Sequence, residues 1–210
     1  MFGASGSIGS ACSKNLQSRG TVIHGSRDLM EFEGQVDSIS KLDGVIWAQG
    51  LNAADSFGNF EADAYENVMD ANVTFILRSL KVLMDRGKIQ QNSQLVVISS
   101  VWSQISRPNK LSYGISKAAL GGLVRALATD LGPLGIQINA VSPGPIDTPM
   151  TTRNLKPEDL ERVISESPLK RLVTLDEVTS LICELAAGNL SGITGQEIVI
   201  DGGWSVSKLV

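Results

Sequence analysis

Histidine, cysteine and aromatic residues are all scarce in this chain of 210 residues. The single histidine, His24, excludes a metal site built on two histidines, and its place in the strand-like segment 21–27 argues against a Ser-His-Asp triad. The two cysteines, Cys12 and Cys183, lie far apart in the sequence on separate predicted helices, which is typical of buried thiols in a reducing compartment. We therefore expect two free thiols and no bound metal.

A basic surface and a long apolar segment are also missing. The net charge of −4 provides no positive field for nucleic acid or anionic lipid. No apolar run approaches the length of a membrane span, and the N-terminus lacks the basic and apolar segments of a secretory signal. We expect a cytoplasmic protein that binds neither nucleic acid nor membrane.

Strand-like and helix-like segments alternate along the whole chain, which predicts a parallel sheet covered by helices on both faces. The length suits one domain over residues 1–210. Segment 150–172 is expected to form a helical flap over the site, and Thr174 and Glu177 form a capping-box pattern. The predicted strands are 21–27, 44–50, 94–99, 136–141 and 197–201, and the predicted helices are about 8–19, 62–86, 112–131, 157–166 and 175–187.

The most informative segment is S100-VWSQISRPNKLSYGISK-117. Tyr113 and Lys117 are one helical turn apart, so their side chains share one face of a helix. A nearby ammonium favours the phenolate, so we expect the pKa of Tyr113 to lie below its usual value of about 10. The apolar strand before Ser100 puts that hydroxyl at the carboxyl end of a strand. The alternative is a solvated helix face, which is typical of an isolated Y-x-x-x-K pattern.

Six motifs together resemble the short-chain dehydrogenase/reductase superfamily, close to the ketoreductase type that includes β-ketoacyl-acyl carrier protein reductases. The resemblance covers nearly the whole chain and implies a Rossmann-like doubly wound sheet. The motifs are G3-ASGSIG-9, Asn72 in D70-ANVT-74, Ser100, Y113-GISK-117, N139-AVSPGPIDT-148 and I193-TGQEIVIDGG-203.

The resemblance also implies a role for each of four residues. Tyr113 is the general acid in carbonyl reduction, and Lys117 lowers its pKa and binds the nicotinamide ribose. Ser100 holds the substrate oxygen, and its spacing from Tyr113 and Asn72 favours it over the neighbouring Ser99. Asn72 anchors a water of a proton relay. Its position inside a predicted helix supports a special role, although a helix cap or a kink is the alternative.

The glycine-rich loop predicts a cofactor phosphate site, because glycines allow backbone N–H groups close to a pyrophosphate at a helix N-terminus. A plain turn is the alternative. Arg27 ends the second predicted strand, where a guanidinium suits a 2′-phosphate, so NADP(H) is favoured over NAD(H). The alternative for Arg27 is a surface pair with Asp28. The residues expected to bind the cofactor are Gly3, Ser5, Gly6, Ser7, Ile8, Gly9, Arg27, Ala48, Gly50, Tyr113, Lys117, Pro143, Gly144, Ile146 and Thr148.

Several features depart from the family pattern. Only Met1 and Phe2 precede the glycine loop, so the first strand is almost absent, either because the start lies upstream or because the strand is short. Segment 27–45 is too short for the usual helix-strand-helix, which predicts a deleted strand-helix unit and a smaller sheet. Ser7 stands where the family has glycine, and W47-AQG-50 replaces N-N-A-G.

The expected activity is reduction of a ketone, either a 3-oxoacyl compound or a cyclic or hydrophobic one, to a secondary alcohol. Alternatives are a non-catalytic NADP(H)-binding sensor or scaffold, and a dehydratase or epimerase on the same scaffold. By analogy with the family we expect a homodimer or homotetramer. Candidates for the substrate pocket wall, with ordinary packing as the alternative, are Trp102, Pro145, Met150 and Trp204.

Overall fold

The structure confirms an α/β protein with a parallel sheet. The computed structural model describes residues 1–148, 151 and 156–207. Strands β1, β2, β3 and β6 form the central sheet in that order, with every pair parallel, and β4 pairs with β5 separately. The carboxyl-terminal half of β2 and most of β3 are buried, as expected of parallel strands covered on both faces. The strands are β1 (Leu42–Trp47), β2 (Ile89–Ile98), β3 (Gln137–Pro143), β4 (Ile146–Asp147), β5 (Val173–Thr174) and β6 (Glu197–Ile200).

Helices pack on both faces of the central sheet. Alternate residues of β1 point in opposite directions, so Trp47 packs in one core and Ile46 in the other. The first core also contains residues of α2, α4 and α5, and the second contains residues of α1 and α7. This is the predicted doubly wound arrangement. The helices are α1 (Ser7–Gln17), α2 (Leu29–Val36), α3 (Ala62–Met69), α4 (Phe75–Asp85), α5 (Leu111–Leu131), α6 (Pro157–Glu166) and α7 (Leu175–Ala186).

The predicted helix 62–86 is not a single α-helix. A π-helical turn, Asp70–Thr74, separates α3 from α4. A π turn places one extra residue in the helix, and such insertions are frequent at functional sites. Asn72 lies inside this turn and is buried. Asn72 therefore lies at an irregular turn of the helix, and its polar side chain is buried there.

The predicted strand 21–27 is wrong. The segment hydrogen-bonds to Met1, whose amino group donates to Ile23 O at 2.6 Å and whose carbonyl accepts from Gly25 N at 2.9 Å. Both bonds involve Met1, whereas a β-ladder needs several consecutive residue pairs. Phe2 itself forms a single parallel bridge with Trp47.

The short segment between Arg27 and β1 forms α2 and contains no strand. The buried Phe2 ring fills this side of the first core, where it lies 4.9 Å from the Phe32 ring of α2 and 5.9 Å from the Trp47 ring. These aromatic contacts cover the edge of the sheet at β1. Helix α2 packs against that edge through them.

Two smaller expectations can be checked directly. The capping box at the start of α7 is confirmed: Glu177 N donates to Thr174 Oγ1, and Thr174 N donates to Glu177 Oε2. Cys12 and Cys183 are free and buried, as predicted, and Cys183 Sγ donates to Cys12 O at 4.0 Å across α1 and α7. Within the described ranges, none of the helices has both the length and the apolar character needed to cross a bilayer.

Candidate active site

The predicted site residues come together at one edge of the central sheet. The glycine loop follows Phe2, and Ala48 to Gly50 follow β1. Ser100 follows β2, and the segment 144–148 follows β3. These are the carboxyl ends of parallel strands, where ligands of open α/β sheets bind.

The glycine loop is tightly packed against the turn after β1. Gly3 has φ +77°, and a Cβ there would lie 2.4 Å from Gln49 N. A Cβ on Gly9 would lie 2.1 Å from Gly3 O. Both positions therefore require glycine.

The residues at the start of α1 are left open to solvent. Gly6 is the N-cap, and Ser5, Gly6 and Ser7 are exposed. The first N–H groups of a helix have no partner within it, so this end can hold an anion. Ser7 is the first helical residue and faces solvent, so the absence of glycine there does not obstruct the loop. Half-buried Ile8 packs against the second core. The donor set fits the phosphates of a dinucleotide.

Arg27 lies beside this loop. Its exposed side chain lines a cavity of about 370 Å³ together with His24 and the segment 3–5. Arg27 makes no ion pair within the described part of the chain, because the Asp28 carboxylate instead caps α2 by accepting from Glu31 N at 3.0 Å. The surface pair with Asp28 is therefore not formed, and the guanidinium is free to meet an anion.

The turn W47-AQG-50 keeps its shape without the family asparagine. Trp47 Nε1 donates to Ser79 Oγ at 2.9 Å, and Ala48 N donates to Phe2 O at 3.1 Å. Gly50 lies against the catalytic candidates, since a Cβ there would be 3.2 Å from Asn72 Oδ1. The buried side-chain amide of Gln49 has no hydrogen-bond partner among the described residues. A polar side chain without a partner at a buried position lowers the free energy of unfolding.

Asn72 connects this turn to α5. Leu51 N donates to Asn72 Oδ1 at 2.7 Å, and Asn72 Nδ2 donates to Leu51 O at 2.9 Å. The same Nδ2 donates to Ser116 Oγ at 2.8 Å, and that hydroxyl donates to Tyr113 O at 2.8 Å. Both amide protons of Asn72 are therefore used, and only its oxygen retains capacity to bind a further group.

Lys117 is buried, and its ammonium faces the end of β2. Its Nζ donates to Ile98 O at 2.8 Å and lies 5.6 Å from the centre of the Tyr113 ring. Burial lowers the pKa of Lys117 to about 8, because a low-dielectric environment disfavours the charged form. One of the three ammonium protons is used, which leaves two for a ligand or a relay.

Tyr113 and Ser100 form the centre of the site. The 3₁₀ turn that Ser100 caps packs against the start of α5 beside Tyr113, since a Cβ on Gly114 would lie 3.6 Å from Trp102 O. Burial raises the pKa of Tyr113, and a side-chain interaction with Ser100 lowers it in part. The sequence-based expectation of a pKa below the usual value is therefore wrong for this structure. The spacing of Tyr113 and Lys117 predicts that the two side chains are close, but it contains no information on burial. The effect of burial on the pKa of Tyr113 outweighs the lowering that was expected from the ammonium.

Ser99 and Ser100 point in different directions. Ser99 Oγ lies 3.3 Å from Lys117 O and 3.2 Å from Glu197 Oε1 and shares its one proton between them, away from the Tyr113 hydroxyl. Ser100 Oγ accepts from Trp102 N at 3.4 Å and reaches Tyr113. The geometry thus favours Ser100 as the hydroxyl of the site.

One residue of the site was not predicted. Lys110 is buried, and its Nζ lies 5.1 Å from the centre of the Tyr113 ring. It donates to Asn52 Oδ1 at 2.5 Å and to Ala53 O at 3.4 Å. Burial lowers its pKa, and the neighbouring Arg107 lowers it further. Lys110 precedes Tyr113 by three residues, at the residue before α5, and that spacing alone carries a weak signal.

The segment after β3 is held against β6. Gly144 N donates to Ile200 O at 3.0 Å, and a Cβ on Gly144 would lie 2.6 Å from Asp201 Cβ. Pro143 ends β3, and Ile146 lies in the short strand β4. Thr148 is buried, with its hydroxyl 3.1 Å from that of Thr151. The loop is thus fixed at the site edge.

Two indoles form one wall beside Ser100. The rings of Trp102 and Trp204 meet edge to face with centroids 5.6 Å apart, and the Arg107 guanidinium lies 5.3 Å from the Trp102 ring centre. Trp204 Nε1 donates to Glu166 Oε2 at 2.9 Å, which ties the wall to the end of α6. Pro145 is half-buried near this edge. Met150 lies outside the described residues, and so does part of the predicted flap, residues 150 and 152–155.

Within residues 1–148, 151 and 156–207, no cluster of three or more His, Cys, Asp and Glu side chains could hold a metal ion. The polar groups at the site edge are instead hydroxyls, ammonium groups and backbone N–H groups.

Comparison with known proteins identifies a family and individual proteins that are similar in sequence to this chain. A family described as enoyl-(acyl carrier protein) reductase matches residues 30–205. The chain is 31% identical to the oxidoreductase UcpA of Escherichia coli K12 over 188 residues, which cover 86% of this chain and 69% of UcpA. It is 30% identical to the 3-oxoacyl-[acyl-carrier-protein] reductase FabG of Buchnera aphidicola over 145 residues, which cover 69% of this chain and 59% of FabG.

A solved structure extends the comparison to the fold. Gluconate 5-dehydrogenase from Burkholderia cenocepacia, in complex with NADP and tartrate, superposes with a TM-score of 0.87. The match covers 99% of this chain and 94% of that one at 19% identity.

Proposed function

Because the chain belongs to the short-chain dehydrogenase/reductase superfamily and is an oxidoreductase of that kind, we propose that it reduces a ketone to a secondary alcohol with NADPH. The observation that supports this proposal is the buried Lys117 ammonium, which lies 5.6 Å from the centre of the Tyr113 ring on the same helix, with the turn that Ser100 caps packed beside them. Two hydroxyls and a buried ammonium at the carboxyl edge of a parallel sheet can hold a carbonyl oxygen and give it a proton.

Each residue has one task in this mechanism. The Ser100 hydroxyl donates a hydrogen bond to the carbonyl oxygen and orients it. The nicotinamide, when bound, supplies the hydride that goes to the carbonyl carbon. Tyr113 gives its hydroxyl proton to the carbonyl oxygen, which becomes the alcohol. The raised pKa of Tyr113 keeps the phenol protonated at neutral pH, as a general acid requires.

The proton lost by Tyr113 must be replaced. Lys117 has two ammonium protons that are not used by Ile98 O, and its pKa of about 8 allows it to release one near neutral pH. We propose that Lys117 also binds the nicotinamide ribose. Asn72 retains only an oxygen lone pair for a water of the relay, so its main task is to hold the 51–52 backbone beside Lys117.

The residues of the glycine loop and the neighbouring turns fit a dinucleotide. We propose that the loop 3–9 and the N-terminus of α1 hold the pyrophosphate. Ala48, Gly50 and the segment 143–148 would line the rest of the cofactor. The Arg27 guanidinium beside the loop makes no ion pair among the described residues and suits a 2′-phosphate. Because NADPH has this phosphate and NADH lacks it, NADPH is favoured. The solved gluconate 5-dehydrogenase contains NADP, which agrees with this choice.

The substrate class follows from the wall beside Ser100. The indoles of Trp102 and Trp204 favour a cyclic or hydrophobic ketone, and the match to a 3-oxoacyl reductase keeps 3-oxoacyl thioesters among the candidates. We propose a small-molecule substrate and a cytoplasmic homodimer or homotetramer. The outer strand β6 is half-buried and pairs on one side only in the described sheet, which leaves an edge for a second copy.

The test is consumption of NADPH and NADH, followed at the nicotinamide absorbance, over a panel of ketones and 3-oxoacyl thioesters. We expect ketone-dependent turnover with NADPH preferred. Binding of NADPH without turnover on any ketone would favour a sensor or scaffold. Conversion of a substrate without net consumption of the cofactor would favour a dehydratase or epimerase.

A further inference from the structure

Glu197, the first residue of β6, is a half-buried carboxylate outside the four residues of the proposed mechanism. It lies between β6 and α5. A Cβ on Gly121 of α5 would lie only 2.9 Å from Glu197 Oε2, so the glycine provides the space that the carboxylate occupies. A carboxylate withdrawn from water needs hydrogen-bond donors to offset its lost hydration.

Three serine hydroxyls supply those donors to a single oxygen. Glu197 Oε1 accepts from Ser142 Oγ at 2.6 Å and from Ser99 Oγ at 3.2 Å, and it also accepts from the Ser103 hydroxyl. Ser99 and Ser142 are buried. Hydrogen bonds to an ionised acceptor are about twice as strong as those between neutral groups, so this oxygen fixes three separate parts of the chain.

Two of these serines flank Ser100. Ser99 precedes it directly, and Ser103 ends the 3₁₀ turn that Ser100 caps. The Ser99 hydroxyl shares its one proton between Glu197 Oε1 and Lys117 O, so the same network reaches the helix that carries Tyr113. The turn holding the Ser100 hydroxyl is therefore attached at both ends to one carboxylate that is almost a hundred residues away in the sequence.

We propose that Glu197 is a positioning residue that fixes the Ser100 hydroxyl against Tyr113. It touches neither the substrate nor the cofactor, and it acts through Ser99 and Ser103. This inference rests on the proposed function for the roles of Ser100 and Tyr113, while the hydrogen bonds of Glu197 with the serines exist whether or not the protein is catalytic.

The first experiment measures the effect of Ser100 on the titration of Tyr113. The chain has two tyrosines, so in a Tyr65→Phe background the phenolate absorbance reports Tyr113 alone. The charged groups that face the Tyr113 ring, Lys110 and Lys117, are kept in every variant. Glu197→Ala should raise the pKa of Tyr113, because the interaction with Ser100 lowers it.

Two further variants keep this test decisive. Glu197→Gln preserves the size of the side chain and one acceptor oxygen, so it should fold normally and give an intermediate shift. Glu66→Ala, at an exposed position of α3, is the matched control and should give none. An unchanged pKa of Tyr113 in a folded Glu197→Ala protein would overturn the inference.

The second experiment uses turnover and cofactor affinity. Glu197→Ala should lower kcat about 30-fold with the Kd for NADPH changed less than twofold, and Glu197→Gln should recover part of the rate. The effect of Glu197→Ala on kcat should be smaller in a protein that also carries Ser99→Ala and Ser103→Ala. The reason is that the effects of residues that act through one network are not additive. A lower NADPH affinity with unchanged kcat would contradict a positioning role. If the wild-type protein shows no turnover, only the proposed function is refuted, because the titration of Tyr113 tests the role of Glu197 independently.

Discussion

Asn72 and Leu51 are joined by two hydrogen bonds that run in opposite directions, Leu51 N to Asn72 Oδ1 and Asn72 Nδ2 to Leu51 O. The side-chain amide therefore pairs with a backbone peptide as a neighbouring strand would. The π turn makes this possible, because the extra residue brings the amide of Asn72 out of the helix and toward the turn after β1. The pairing holds that turn next to the ammonium of Lys117.

Asn72→Ala should therefore lower both stability and turnover. The change leaves Leu51 N, Leu51 O and the Ser116 hydroxyl without their partner, and we expect a loss of about 1–3 kcal/mol in the free energy of unfolding. Denaturant unfolding measures the loss. Asn67→Ala, at an exposed position of α3, is the control and should cost a few tenths of a kcal/mol at most. Equal effects of the two changes would contradict the role of the pairing.

Tyr113→Phe should remove turnover and keep cofactor affinity. The ring and its packing are retained, and only the proton donor is lost, so we expect a fall in kcat of about 10²- to 10⁴-fold. Calorimetry with NADPH should show a Kd within twofold of the wild-type value. Tyr65→Phe keeps the ring contact with Phe60 and should leave the rate unchanged. Wild-type turnover in Tyr113→Phe would disprove the assignment of the general acid.

Lys117 should make stability rise with pH between about 8 and 10.5. Its pKa is about 8 in the folded protein and 10.5 as the ordinary value, so in this range the unfolded chain binds the proton that the folded protein has released. The free energy of unfolding then increases with pH, by about 3 kcal/mol over the whole range. Below pH 8 both states are protonated and this contribution is constant.

Lys117→Met should abolish that rise and be more stable than wild type at pH 7, because it removes a buried charge. Denaturant unfolding at several pH values between 7 and 10.5 gives the comparison, with the exposed Lys41→Met as the control that keeps the wild-type slope. A wild-type slope in Lys117→Met would show that its ammonium is not strongly desolvated. Turnover should be lost in this variant whatever its stability.

Arg27→Ala should weaken NADPH binding about tenfold or more and leave NADH binding nearly unchanged. A guanidinium contributes charge-assisted hydrogen bonds to a 2′-phosphate that NADH lacks. Calorimetric Kd values for the two cofactors decide the question. Arg86→Ala removes an arginine that pairs with Asp37 and should change neither affinity. Equal loss for both cofactors would mean that Arg27 contacts a part common to them.

Much of the fold follows from local pattern. The helices α1, α5, α6 and α7 lie within one or two residues of their predicted limits, because apolar periodicity and the capping box at Thr174 are local signals. The strand prediction at 21–27 failed because a strand needs a partner, and whether one exists depends on the rest of the sheet. The π turn at Asp70–Thr74 likewise has no local signal apart from the asparagine itself.

The sequence by itself determined which residues could meet when their separation is one helical turn, as for Tyr113 and Lys117, and which turns required glycine. Only the tertiary structure decided the rest. It placed Lys110 over the Tyr113 ring and brought Glu197 to the serines around the site. It also reversed the expected direction of the Tyr113 pKa, because desolvation depends on every element packed around a group and a pair spacing contains none of that information.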